Sequence, residues 1–141
     1  FFVQKNTRFS DNNIPIPFDV AQVNVGNAMD LSSGVFTARR PGIYFFSFTT
    51  LAYFPASSDY THLGIFLHHN NDRIAFGSVE EASPAYHMGQ LSVQSTLSLK
   101  PGDRVWVQIY AMAPGVYLYD NQNHNIFFTG FMLEEEIVAS L

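Results

Sequence analysis

Apolar residues in this chain recur mainly at every second position rather than every third or fourth. Residues 43–49, after Pro41 and Gly42, place Tyr44, Phe46 and Phe48 on one side of an extended strand and Ile43, Phe45, Ser47 and Thr49 on the other. Residues 104–110 repeat the pattern, with Val105, Val107 and Ile109 facing one way and Trp106, Gln108 and Tyr110 the other. Residues 91–99 alternate less cleanly and stop at Lys100, Pro101, Gly102 and Asp103, a turn by composition. Residues 63–68 and 73–79 flank His69, Asn70, Asn71 and Asp72, which read as a hairpin loop. Residues 126–133 form a last apolar strand, broken by Thr129 and Gly130. No amphipathic helical pattern survives between the prolines and glycines. About eight to ten short strands separated by turns predict an all-β, two-layer antiparallel sandwich. Periodicity leaves immunoglobulin and jelly-roll topologies open, although the Cys…Trp…Cys spacing of true immunoglobulin domains is absent.

Residues 127–133 are apolar on both faces, and Phe45 adds an apolar group to the second face of its strand. A sandwich strand keeps one wet face unless something covers it. Either these strands are central and doubly covered, or they form a subunit interface.

Composition narrows the class. With 141 residues, 16% aromatic and 13% charged, the chain reads as a single folded domain over 1–141, with its core at about 2–133 and an acidic tail at 134–141. A net charge of −5, with Arg39-Arg40 as the one paired basic site, provides no positive stripe for nucleic acid. No apolar run approaches the ~18–20 residues of a membrane span, so membrane insertion is not expected. A first residue of Phe, without a leader pattern, suggests a processed product or an excised domain. The absence of cysteine removes disulfides, thiolate metal sites and thiol catalysis. No Asn-x-Ser/Thr acceptor is present for N-glycosylation.

The spacing of Phe18, Asn24, Phe36, Gly42, Tyr44, Phe46 and Phe48 resembles the signature of the C1q globular-head family. The surrounding segments 16–19, 24–28, 34–38 and 41–48, and downstream 99–108 and 128–133, look like that family too, although Met29 stands where an aromatic or Leu is usual. The resemblance spans residues 2–133. It implies a ten-stranded antiparallel jelly roll of the C1q/tumour-necrosis-factor superfamily, secreted and assembled as a homotrimer, with the doubly apolar strands in closed three-fold contacts. It also implies calcium in some members. Here Glu81 stands near one ligand position and Gly89 at the other, so Glu81 is the candidate metal ligand, no cofactor is assigned and calcium stays open. Any collagen-like stalk would lie outside this chain, which has no Gly-X-Y repeat.

Nothing in the chain argues for catalysis. His68 and His69 are adjacent and point to opposite faces of a strand, and His62, His87 and His124 are scattered. Glu134-Glu135-Glu136 reads as a solvated run. No nucleophile elbow or phosphate-cradling loop occurs. Recognition is therefore expected in loops. Residues 117–124 combine Tyr117 and Tyr119 with Asp120, Asn121 and Asn123, a mixture suited to sugars, because tyrosine faces pack on C–H surfaces while amides and carboxylates bond hydroxyls. Residues 79–87 add Glu80, Glu81, Tyr86 and His87, and residues 55–60 supply a third loop. The expected function is a pattern-recognition, lectin-like module for innate immunity, binding carbohydrate or a microbial surface ligand. Its rivals are the trimerisation head of a collagen-like matrix protein and a hormone-like or synapse-organising ligand for a protein receptor. Flanking sequence would discriminate among them.

Overall fold

Alternation carries the strands further than the local patterns indicated. A computed structural model describes residues 1–137, and these form eleven strands. In chain order they are β1 (Phe2–Gln4), β2 (Val20–Val23), β3 (Met29–Asp30), β4 (Val35–Thr37), β5 (Gly42–Phe54), β6 (Ser57–His69), β7 (Asp72–Ser83), β8 (His87–Leu99), β9 (Arg104–Met112), β10 (Tyr117–Tyr119) and β11 (Phe127–Glu135). One sheet runs β2-β1-β11-β5-β8 and the other β3-β4-β9-β6-β7, with every pairing antiparallel. These ten strands make the expected jelly roll. The eleventh, β10, pairs with the end of β5 beyond β11 and was read from sequence as part of a loop.

Other boundaries also move. His69 pairs with Asp72, so the hairpin loop shrinks to Asn70-Asn71, with Asn70 in the left-handed region at φ 53°. Residues 57–60 and 79–83, read as loop, belong to β6 and β7. Glu134 and Glu135 continue β11, paired with Ile43 and Gly42; residues 138–141 of the expected tail lie outside the described residues.

The core is built from the facing sides of both sheets. Tyr44, Phe46, Phe48, Ala52 and Phe54 of β5 are buried against Leu63, Ile65 and Leu67 of β6 and Val105, Val107 and Ile109 of β9. Most of the signature residues meet in one aromatic cluster: Phe46 lies 5.7 Å from Phe36 and 6.2 Å from both Tyr44 and Phe128, while Phe18 stacks on Phe128 at 5.9 Å. Asn24 works differently. Its side chain donates to the carbonyl of Met29 at 2.8 Å and accepts from the same residue's N–H at 3.1 Å, closing the turn into β3 as a strand partner would. Gly130 has no alternative, since a Cβ there would sit 2.5 Å from the Phe1 ring and 2.7 Å from Phe46.

At the Lys100–Asp103 end of the sandwich, Asp103 ties two turns together. Its carboxylate accepts from the Lys100 N–H at 2.9 Å, meets the His69 ring at 3.0 Å and accepts from the Asn70 amide at 3.2 Å. The Lys100 N–H, followed by the His69 and Asn70 side chains, lowers its pKa from 3.8 to about 2. A carboxyl depressed on folding stabilises fully above its unfolded value and loses that contribution as pH falls through the folded one. Asp103→Ala is thus expected to cost roughly 1–3 kcal/mol at neutral pH. The gap from wild type should close as pH drops from 3.8 to about 2, read by urea unfolding across that range.

Candidate functional site

The end of the sandwich opposite Asp103 gathers the segments read as recognition loops. After β1 the chain crosses this end: Lys5 N–H bonds the Ile126 carbonyl at 3.0 Å, and Phe9 and Leu118 exchange both backbone bonds at 3.0 and 2.9 Å. Phe9 is buried. The Lys5 ammonium turns inward to the Pro17 carbonyl at 3.1 Å and rests 5.2 Å from the Phe9 ring. This anchoring sets Arg8 beside β10, with its guanidinium 5.1 Å from the centre of the Tyr117 ring.

Tyr117 is one rung of a longer stack. Its ring lies 4.8 Å from Tyr53 at an interplanar angle of 18°, and Tyr53 lies 5.9 Å from Tyr86 at 20°. Arg8, Tyr117, Tyr53 and Tyr86 thus form a continuous cation–aromatic ladder across β10, β5 and the turn before β8. Tyr86, 67% exposed, is its open end. Arg8 and Tyr117 also divide two clefts. One, of about 630 Å³, is bounded by Asn6, Tyr119, Asp120 and Asn121, and the other, of about 590 Å³, by Ser10, Asn12 and Pro114.

The turn after β10 is held by its own side chains. Asp120 Oδ1 accepts from the Asn121 N–H at 2.8 Å and from the Asn125 N–H, and Asn121 Oδ1 accepts from the Asn123 N–H at 2.8 Å. Asn121 Nδ2 donates to the Tyr119 hydroxyl at 3.2 Å, and His124, at φ 56°, bonds the Lys5 carbonyl at 2.8 Å through Nδ1. Asp120 is buried, and its Oδ2 has no partner among the described residues. Its first task is to shape the loop, while Tyr119, Asn121 and Arg8 present groups outward.

Of the residues singled out from sequence, Tyr117, Tyr119, Asp120 and Asn121 line one cleft and Tyr86 joins it through Tyr53. Asn123 is exposed and does not line the cleft. His87 and Glu81 form a separate pair at 3.3 Å. An imidazole and one carboxylate do not fit calcium, which takes six to eight oxygen ligands. Gly89 is buried within β8, where a Cβ would meet Phe54 at 2.8 Å, and no group of three or more His, Asp or Glu side chains converges among the described residues. Arg8 and Tyr53 were missed. Tyr53 sits where the alternation of β5 would carry it, four residues past the segment read as strand, whereas no local signal marks Arg8.

The outer face of the first sheet is the other feature of note. Phe2 and Phe127 lie 6.0 Å apart and Phe45 and Phe131 5.6 Å, with Phe131 50% and Leu133 56% exposed. The doubly apolar strands are thus covered on one side only within a single chain.

Comparison with known proteins gives a consistent picture. The family profile described as C1q domain matches residues 1–133. Complement C1q tumor necrosis factor-related protein 2 of mouse is 34% identical over 135 residues, covering 94% of this chain and 42% of that protein. The mouse collagen alpha-1(X) chain is 31% identical over 119 residues, covering 84% of this chain and 16% of that one. The chain therefore spans less than half of either relative. The globular domain of zebrafish complement 1qA protein superposes with a TM-score of 0.70 at 21% identity, over 96% of this chain and 98% of that one, a likeness of fold.

Proposed function

This chain belongs to the C1q-domain family, and from that premise we propose that it is a non-enzymatic, extracellular recognition head that assembles as a homotrimer and binds carbohydrate at the Arg8–Tyr117 edge. The observation that carries the reading is the ladder Arg8–Tyr117–Tyr53–Tyr86 beside a cleft edged with amides. Aromatic faces offer C–H packing, and the Arg8 guanidinium and the Asn6 and Asn121 amides offer bonds to hydroxyls or to an acidic sugar. The apolar outer face of the first sheet supports the trimer, since a large exposed apolar patch favours burial against a like copy. Three sites on one particle raise the apparent affinity of individually weak contacts by orders of magnitude.

No metal is needed for this chemistry. A glycan array probed with the assembled protein should give the same sugar preference in calcium and in EDTA. Tyr117→Ala and Arg8→Ala should each weaken the best signal by about tenfold, while Glu81→Gln leaves it unchanged. Binding indifferent to both cleft variants moves the site elsewhere. Binding lost in EDTA overturns the metal-free reading.

The names of the relatives favour a second reading, a ligand directed at protein receptors or the trimerisation head of a collagen-like matrix protein. An array silent in both buffers favours it over the first.

A further inference from the structure

The outer face of the second sheet carries an aromatic platform that no part of the preceding reading uses. Phe66 of β6 lies 4.6 Å from Phe76 of β7 and 5.3 Å from Tyr110 of β9. His68 stacks on Trp106 at 5.1 Å with the rings 3° from parallel. Phe76 is 52% and Tyr110 47% exposed, well beyond what a core-directed aromatic shows. Gly64 makes the arrangement possible: a Cβ there would stand 2.8 Å from the Phe76 ring, so its absence lets that ring lie over β6.

Arg73 sits on this platform, its guanidinium 4.8 Å from the Phe66 ring centre and 4.7 Å from that of Tyr110. No carboxylate among the described residues comes within 4 Å of it. The rings restrain a side chain that normally loses much rotamer freedom on binding, and they leave its planar fork of N–H donors unspent. Nearby polar groups are already matched, with the Trp106 indole N–H donating to Gln108 at 3.0 Å. Burial, and then the Arg73 charge, lower the pKa of His68 below 6.5, leaving that ring neutral at pH 7.

We propose that this face docks a protein partner that presents an Asp or Glu carboxylate among apolar side chains, with the carboxylate on Arg73 and the apolar groups on Phe76 and Tyr110. Charge complementarity selects the carboxylate. A cation with no carboxylate partner among the described residues stands on an apolar surface of an otherwise acidic chain with net charge −5. A broad sheet face with rigid aromatics and an arginine suits a protein surface, since small ligands favour concave sites. Arginine and exposed aromatics are also the residue types that dominate binding energy at such contacts. The face is separate from the cleft, so the inference stands whether or not the cleft takes sugar.

The test uses a random dodecapeptide display library panned on the assembled wild-type protein, with Arg73→Ala as the subtraction target. Enriched peptides should carry Asp or Glu beside aromatic or aliphatic residues. Their affinity should fall at least roughly tenfold with Arg73→Ala, with Phe76→Ser, or with Glu→Gln in the peptide. Arg73→Lys should recover only part of the loss, because an ammonium lacks the fork. Tyr117→Ala should leave these peptides bound, which separates this face from the cleft. Failure to enrich any peptide after the subtraction, or enrichment of peptides without an acidic residue, overturns the proposal. A fall in particle mass for Arg73→Ala and Phe76→Ser overturns it as well, by giving the face to a second copy of the chain.

Discussion

The double variant Phe131→Asp, Leu133→Asp should be a folded monomer in light scattering, and the wild type should give the mass of three chains. Both side chains are half exposed on the outer face of β11, so exchanging them leaves the core cluster intact. In the proposed trimer, however, each would be removed from water. Only the exposed half of each side chain is newly buried on assembly, so losing it costs roughly 1 kcal/mol per side chain, in every copy. The new carboxylates would also lie next to Glu134, Glu135 and Glu136, so assembly would bring together charge that water can no longer solvate. A wild type that stays monomeric at all concentrations, or a double variant that stays trimeric, removes the assignment of this face.

The monomeric variant then gives a background in which two neighbouring residues can be compared without mass action on the oligomer. Phe46→Ala is expected to destabilise it by about 3–5 kcal/mol, close to the whole margin of many domains. Its ring is fully buried among Phe1, Phe36, Tyr44 and Phe128, and β5 and β11 cannot close around the void without breaking their pairing. Phe45, one residue earlier, points to the other face, where its wild-type neighbour Phe131, at 5.6 Å, is already replaced in this background. The cost of Phe45→Ala there should stay within about 1 kcal/mol. Denaturant midpoints of the pair check both values. Equal costs would mean that the outer face is packed within one chain after all.

The contrast between Phe45 and Phe46 shows how far alternation can be read. Period-two spacing assigned Tyr44, Phe46 and Phe48 to one side of β5, and all three are buried there. It failed at strand ends. Ser57, Ser58 and Asp59 look like loop residues, yet they extend β6. Tyr117, Leu118 and Tyr119 form β10 because the end of β5 extends past β11 and its free edge accepts a partner there. Such pairing is decided by a neighbouring strand distant in sequence, and local composition carries no trace of it.

The cleft divides in the same way. Tyr119, Asp120 and Asn121 were legible because tyrosine, amide and carboxylate stand close together along the chain. Arg8 and Tyr53 were not, since their place beside Tyr117 depends on the crossing of residues 5–9 and on the register that sets Tyr53 opposite Tyr117. Asp120 lines the cleft, and its carboxylate also holds the loop through the N–H groups of Asn121 and Asn125, a second task that composition does not signal. The Arg73 platform draws Phe66, Phe76 and Tyr110 from three strands.

By itself, then, the sequence determined the fold class, the family and which face of β5 and of β9 is buried, because alternation and aromatic spacing are properties of neighbouring residues. Tertiary structure alone decided which surfaces the protein presents. Arg8 joins Tyr117, and Arg73 its rings, only once strand register has placed residues far apart in the chain within a few ångströms, and register is set by packing the whole sandwich.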